Sequence, residues 1–292
     1  MDFLQSLLLD PISLPFMQRA FLAVILIGIV SGVMGAYVVT RGMAFLGDAL
    51  AHTILPGVAV GYLASGGDTQ AVLLGGLGAG ILSALGIGFL TRGGRLSEDT
   101  AIGVIFAGAL ALGIGIISRA QNYATDLTHI LIGNVLAVRD GDLLLIAALG
   151  LVVLAIVALL YKEFLLISFD PTLAHTLRLP SERLRITLLI LLALTVVISL
   201  RAVGIAMIAA MLVTPAATAR FWVKRLSRMM ILAAIIGAAG GVIGMYLAWH
   251  IQGIAPSATI VLTLTTLFIL SFLFAPQTGY VWSLLGRTAK PA

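Results

Sequence analysis

"RGMAFLGDALAHTILPGVAVGY", residues 41–62, is an apolar run of membrane-crossing length that nevertheless carries a carboxylate, an imidazole and a proline. About 20 consecutive apolar residues let a helix cross roughly 30 Å of hydrocarbon. Asp48 and His52 stand four apart within this run, so on a helix they share one face. Ionisable groups inside a membrane are costly and normally face a cavity or a partner. A polar pair of this kind on a spanning helix therefore marks a path or an interface.

The rest of the chain repeats the apolar theme. Its 292 residues are 61% hydrophobic and 10% charged, with 32 glycines, and the mean hydropathy is +1.16. That is far more apolar surface than a soluble domain of this size can hide, so the chain reads as one all-α integral membrane domain over residues 1–292. The runs are long and continuous, which excludes a transmembrane β-barrel built of short alternating strands.

Read against Gly, Pro and charge breaks, the spans fall at 17–40, 43–64, 70–91, 97–118, 142–162, 183–202, 203–221, 227–250 and 257–275. This makes nine crossings, or eight if 203–221, with Gly204 and Pro215, is broken or re-entrant. With nine, an outside N-terminus leaves only Arg19, Arg119, Arg139 and Arg201 of the 17 Lys and Arg outside. The positive-inside rule thus selects N-out and C-in. Segment 1–16 is then an outer N-terminal segment and 276–292 a cytoplasmic tail. The N-terminus carries Asp2 and Asp10 but no basic n-region, so the first span is expected to serve as its own insertion signal.

A formal charge of +5 does not make this a nucleic-acid binder, because the basic residues lie between apolar runs and form no stripe. The absence of cysteine rules out disulfides and thiolate metal sites. There is no GxxxxGK[ST] loop, GxSxG elbow or HExxH helix, which argues against an enzyme acting alone and against ATP hydrolysis by a P-loop in this chain.

Two segments do not fit simple crossings. "TDLTHILIGNVLAVRDGD", residues 125–142, has an apolar core too short to span, so 122–140 is expected to be re-entrant or interfacial on the outer side. Its Asp126 and His129, three apart, are either an entrance ligand pair or a cap beside an interfacial imidazole. "KEFLLISFDPTLAHTLRLPSERLR", residues 162–185, lies on the inner side. There Asp170 can cap a short helix with Pro171 in its first turn, and Leu179-Pro180 ends it. Such an element is either a docking helix or a plain connection.

Asp48 and His52 together offer an oxygen and a nitrogen ligand suited to manganese, iron or zinc. The alternative is that they pair with each other or with Arg41. Pro56-Gly57 follows one turn later, and Pro215 interrupts a later span. Paired interruptions of this kind point to transport sites. In "SEDTAIG", residues 97–103, Ser97 reads as an N-cap with Glu98 and Asp99 complementing the helix dipole. The two carboxylates also lie on the same side as Asp48, where they can draw a cation off the path.

Five stretches, in order, carry a family resemblance: "RGMAFLGDALAHTILPGVAVGY", "SEDTAIGVIFAGALALG" at 97–113, "DLTHILIGNVLAV" at 126–138, "LLYKEFLLISFDPTLAHTLRLP" at 159–180 and "AVGIAMIAAMLVTPAATA" at 202–219. The chain resembles the permease subunits of bacterial ABC importers for manganese, zinc and iron, the ABC-3 group. The resemblance implies packing similar to type II ABC importer permeases and a homodimer, or a heterodimer with a paralogue. It also implies two cytoplasmic ATPase subunits that supply ATP hydrolysis, an extracytoplasmic metal-binding protein, and residence in the bacterial inner membrane. No cofactor is permanently held; the metal is cargo.

By the same resemblance, 163–180 is the coupling helix, with Phe169, Asp170, Pro171, His175, Leu177, Arg178, Leu179 and Pro180 at the ATPase. Arg178 stands where the family commonly has glycine, which questions how that helix ends. Asp48 and His52 become the leading metal ligands, with Glu98, Asp99, Asp126 and His129 as weaker candidates and Pro56, Gly57 and Pro215 as gating breaks. The rivals are a proton-coupled secondary transporter, which needs no ATPase, and an intramembrane metalloenzyme.

Overall fold

In a computed structural model, residues 13–118, 133, 135–251, 253–276 and 279–281 are described. Most of the expected outer segments 1–16 and 122–140 and of the tail 276–292 lies outside them, including Asp126 and His129. The described chain forms twelve α-helices: α1 Pro15–Thr40, α2 Ala44–Thr53, α3 Leu55–Ser65, α4 Thr69–Leu90, α5 Glu98–Ile117, α6 Asp140–Leu159, α7 Tyr161–Phe169, α8 Pro171–Thr176, α9 Ser181–Val203, α10 Ile205–Arg220, α11 Leu226–His250 and α12 Pro256–Phe274. Short 3₁₀ turns sit at Arg92–Gly94 and Val135–Ala137.

Among the described residues, eight helices are long and apolar enough to cross a membrane, with α2 and α3 counted as one. The ninth expected crossing is α10, whose 16 residues reach about 24 Å. It begins at Gly204, whose positive φ of 75° ends α9 and turns the chain.

Packing fixes the helix directions. On α1, Gly28 lies against Gly237 and Gly32 against Ala233, so α11 runs antiparallel to α1; a Cβ at Gly28 would come within 2.6 Å of the Gly237 backbone. Gly57 and Gly61 of α3 pack on Gly75 and Ala71 of α4 in the same antiparallel sense. By contrast, Gly35 meets Leu212 and Arg220 donates to the carbonyl oxygen of Val39, so α10 runs parallel to α1. Thus α10, though short, carries the chain back from the end of α9 to the start of α11. Without a hydrophobic force between helices in lipid, such small-residue contacts are what let backbones approach and pack.

The expected single span 43–64 is two helices. α2 ends and α3 begins around Ile54, with Pro56 in the first turn of α3. Proline has no N–H to give the carbonyl four residues back, here that of His52. The expected coupling helix 163–180 is likewise not one element. α7 is seated in the core by Phe164 and Ile167, and Phe164 meets the Tyr37 ring edge-on at 5.8 Å. The chain then breaks at Asp170 into the short α8.

Candidate metal path and docking face

Asp48 and His52 lie in α2, about 6–12 Å along the helix from its start. His52 Nδ1 is 3.0 Å from the Asp48 carbonyl oxygen and 3.8 Å from its carboxylate. A carbonyl oxygen can only accept, so Nδ1 carries the proton. This leaves the lone pair on Nε2, the tautomer arrangement seen around metal-binding imidazoles. The His52 ring is steadied edge-on by Phe106 of α5 at 5.6 Å, and Phe106 also meets Phe45 at 5.7 Å.

The pair is open. The Asp48 side chain is 41% exposed and that of His52 26%. They sit on a stripe of α2 and α3 with exposed Phe45 on one side and exposed Val60 and Leu63 on the other. Such a stripe at membrane depth presents a carboxylate among apolar groups, an arrangement that cannot face lipid cheaply. Among the described residues no group of three or more His, Asp or Glu side chains is poised for a metal, so one chain offers this pair as two ligands.

Arg41 does not pair with Asp48. It meets Glu98 at 2.7 Å, and Arg185 approaches the same carboxylate at 3.6 Å. Arg185 also binds Glu182 at 2.7 Å, the Thr91 hydroxyl and the Gly88 carbonyl oxygen. Glu98 therefore ties the ends of α1, α4, α5 and α9 together, and two guanidiniums already engage its carboxylate. Ser97 caps α5 as its sequence predicts, accepting from the Thr100 N–H at 3.2 Å, and Asp99 is exposed in the first turn.

One residue of α10 reaches both α1 and α2. Leu212 lies between Gly35 of α1 and Gly47 of α2, one residue before Asp48, and Pro215 follows it in α10. α10 runs unbroken from Ile205 to Arg220 through Pro215, and its Leu212 packs on the turn that holds the polar pair.

On the basic side of the bundle, Asp170 Oδ1 accepts from the Leu173 N–H at 2.8 Å and Pro171 opens α8. α8 ends in a Schellman motif: Leu179 N–H donates to the Ala174 oxygen and Arg178 N–H to the His175 oxygen. Arg178 occupies the left-handed position with φ 55°, so the helix ends where a glycine would end it, at a backbone cost an arginine bears. Phe169, Leu173 and Leu177 recur every four residues and are 59%, 43% and 56% exposed, with His175 exposed beside them. Leu173 was not among the expected docking residues. It stands four residues before Leu177, an i, i+4 spacing that places the two on one side of α8 and its C-cap.

The chain matches the ABC 3 transport family over residues 13–275. It is 43% identical over 268 residues to the manganese transport system membrane protein MntC of Listeria monocytogenes, covering 92% of this chain and 94% of that one. It is 38% identical over 266 residues to the manganese import system permease protein ScaB of Streptococcus gordonii, covering 91% and 94%. The probable iron transport system membrane protein of Haemophilus influenzae is 34% identical over 268 residues, covering 92% and 97%. Among solved structures, PsaBC from Streptococcus pneumoniae in complex with Fab superposes with a TM-score of 0.81 at 36% identity, covering 97% of this chain and 99% of that chain. An inward-facing putative metal-chelate type ABC transporter shares the fold, with a TM-score of 0.70 at 15% identity over 87% and 85% of the two chains. A family match along nearly the whole described bundle, together with this degree of identity, establishes that the chain belongs to the ABC 3 transport family.

Proposed function

We propose that this chain is the membrane-spanning permease subunit of an ATP-driven importer of divalent transition-metal ions, with manganese as the first cargo to test. The observation that carries the reading is the open half-site on α2, where Asp48 and His52 share one part-exposed face and the Nδ1 contact leaves the imidazole lone pair on Nε2. A dication cannot shed its water into low dielectric without replacement ligands. Two such faces from two permease copies would enclose a path with a carboxylate and an imidazole from each. A sparse site also releases its ion, which conduction requires. The manganese named in the relatives supports the choice of metal, while iron and zinc fit the same ligands.

In this reading the protein sits in the bacterial inner membrane, N-terminus out and C-terminus in. A metal-binding protein delivers at the outer mouth. Cytoplasmic ATPase subunits engage α8 and its flanks, where exposed Phe169 at the end of α7, Leu173 within α8 and Leu177 just after it present apolar surface at the basic end. Closure of the ATPases moves α8 and, through the Asp170 break and core-anchored α7, the helices around Asp48.

Proteoliposomes holding the permease and its ATPase should accumulate manganese only with ATP. Uptake that follows a proton gradient and persists without the ATPase would replace this reading with a secondary transporter. Leu173→Asp with Leu177→Asp should abolish co-purification of the ATPase while the permease still folds, because that surface makes no core contact. Retained ATPase would return 163–180 to an ordinary connection.

A further inference from the structure

A groove of about 880 Å³ opens on the flank of the bundle between α6 and α11, with α1 as its floor. Ile29 and Val33 of α1, Leu154 and Val157 of α6, and Met230 and Ala234 of α11 line it. It lies on a side of α1 turned away from Gly35 and α10, and no residue of α2 or α3 contributes to it. The face that carries Asp48 and this groove are therefore different surfaces.

The groove has a direction. α11 is antiparallel to α1, and α6 runs with α1, since Val30 packs on Gly150 and Arg19 reaches Asp140. Both the start of α11 and the end of α6 therefore fall at the end of α1 near Thr40. The polar lining residues, Tyr161 and Ser227, sit at that end, and the remainder is apolar. Next to these two in the sequence, and so at the same end, are the exposed cations Lys162, Arg225 and Arg228. No described carboxylate forms an ion pair with any of the three.

An apolar trough at membrane depth with unpaired cations at its mouth has the chemistry of one ligand class. We propose that it is a binding site for an anionic phospholipid of the inner leaflet, with acyl chains along Val33 and Ala234 and the phosphate held by Lys162 and Arg228. The trough is within the size range of small-molecule sites, roughly 300–1,000 Å³. Basic pockets between membrane helices on the cytoplasmic side select anionic headgroups in this way. The site flanks α7, so an ordered lipid there would brace the element that leads into α8. The inference rests on the membrane placement of the bundle and is independent of the metal path.

The chain contains no cysteine, so a single Ile231→Cys gives a label in the groove without background. The full chain, labelled there with a fluorophore, is placed in nanodiscs containing doxyl-phosphatidylglycerol or doxyl-phosphatidylcholine. Half-maximal quenching should come at an about fivefold lower mole fraction of the anionic lipid. Lys162→Gln with Arg228→Gln should erase that preference, whereas Arg92→Gln with Arg95→Gln, at the same end but away from the groove, should keep it. Equal quenching by the two lipids in the parent protein would overturn the proposal, leaving ordinary boundary lipid. Absence of quenching by either would also overturn it, because a protein surface would then cover the groove. Neither result depends on metal uptake, so failure here is distinct from failure of the importer reading.

Discussion

Asp48→Ala is expected to cut manganese uptake at least about tenfold, a rise of roughly 1.4 kcal/mol in the barrier, with expression and ATPase docking unchanged. The carboxylate is 41% exposed and makes no contact that anchors the fold beyond its own helix turn, so its loss removes a ligand and leaves the bundle intact. His52→Ala should act similarly, because it removes the Nε2 lone pair that the Nδ1 contact leaves available. Initial rates of ATP-dependent uptake at several manganese concentrations, with ATPase retention measured on the same preparation, check this. Unchanged uptake in Asp48→Ala removes that residue from the path. Glu98 makes the contrast: its partners are Arg41 and Arg185, so Glu98→Ala should register as lost thermal stability at the basic ends of four helices.

The second large effect is structural. Gly57→Ala and Gly35→Ala should each destabilise the folded permease by about 1–3 kcal/mol or more, seen as a lower detergent melting temperature and a loss of monodisperse protein. A methyl at Gly57 would overlap the backbone carbonyl of Gly75, and one at Gly35 the carbonyl of Leu212. Both obstacles are main chain within packed helices, so no rotamer change relieves them. Gly78→Ala on α4 is the control, since nothing lies within 4 Å of its Cβ position. There the substitution should be neutral or should gain up to about 1 kcal/mol of helix propensity. Equal behaviour of all three variants would mean that α1, α3, α4 and α10 do not pack as closely as described.

These two effects also separate what could be read in advance from what could not. The membrane class, the helical content and most span boundaries followed from apolar run length, because a bilayer leaves a backbone few ways to satisfy its hydrogen bonds and length then sets the crossings. The caps at Ser97 and Asp170 were legible for a local reason, since each side chain reaches an N–H only three residues on. The Asp48–His52 pair was legible because i, i+4 geometry is internal to one helix.

Long-range partners were not legible. That Arg41 belongs to Glu98, 57 residues away, and that Arg185 completes the cluster, depends on which helix ends meet. That Phe164 is drawn into the core while Leu173 stays outside depends on what the two sides of the Asp170 break pack against. Likewise, α10 is only 16 residues long, and its place alongside α1 comes from Gly35 and Leu212. Hydrophobic length and helical period act locally, so a membrane bundle with a carboxylate and an imidazole on one helical face could be read from the chain alone. That Arg41 and Arg185 already engage Glu98, and that a groove opens between α6 and α11 on a surface other than the one that carries Asp48, followed only from the fold, because each depends on the close approach of backbones distant in the chain.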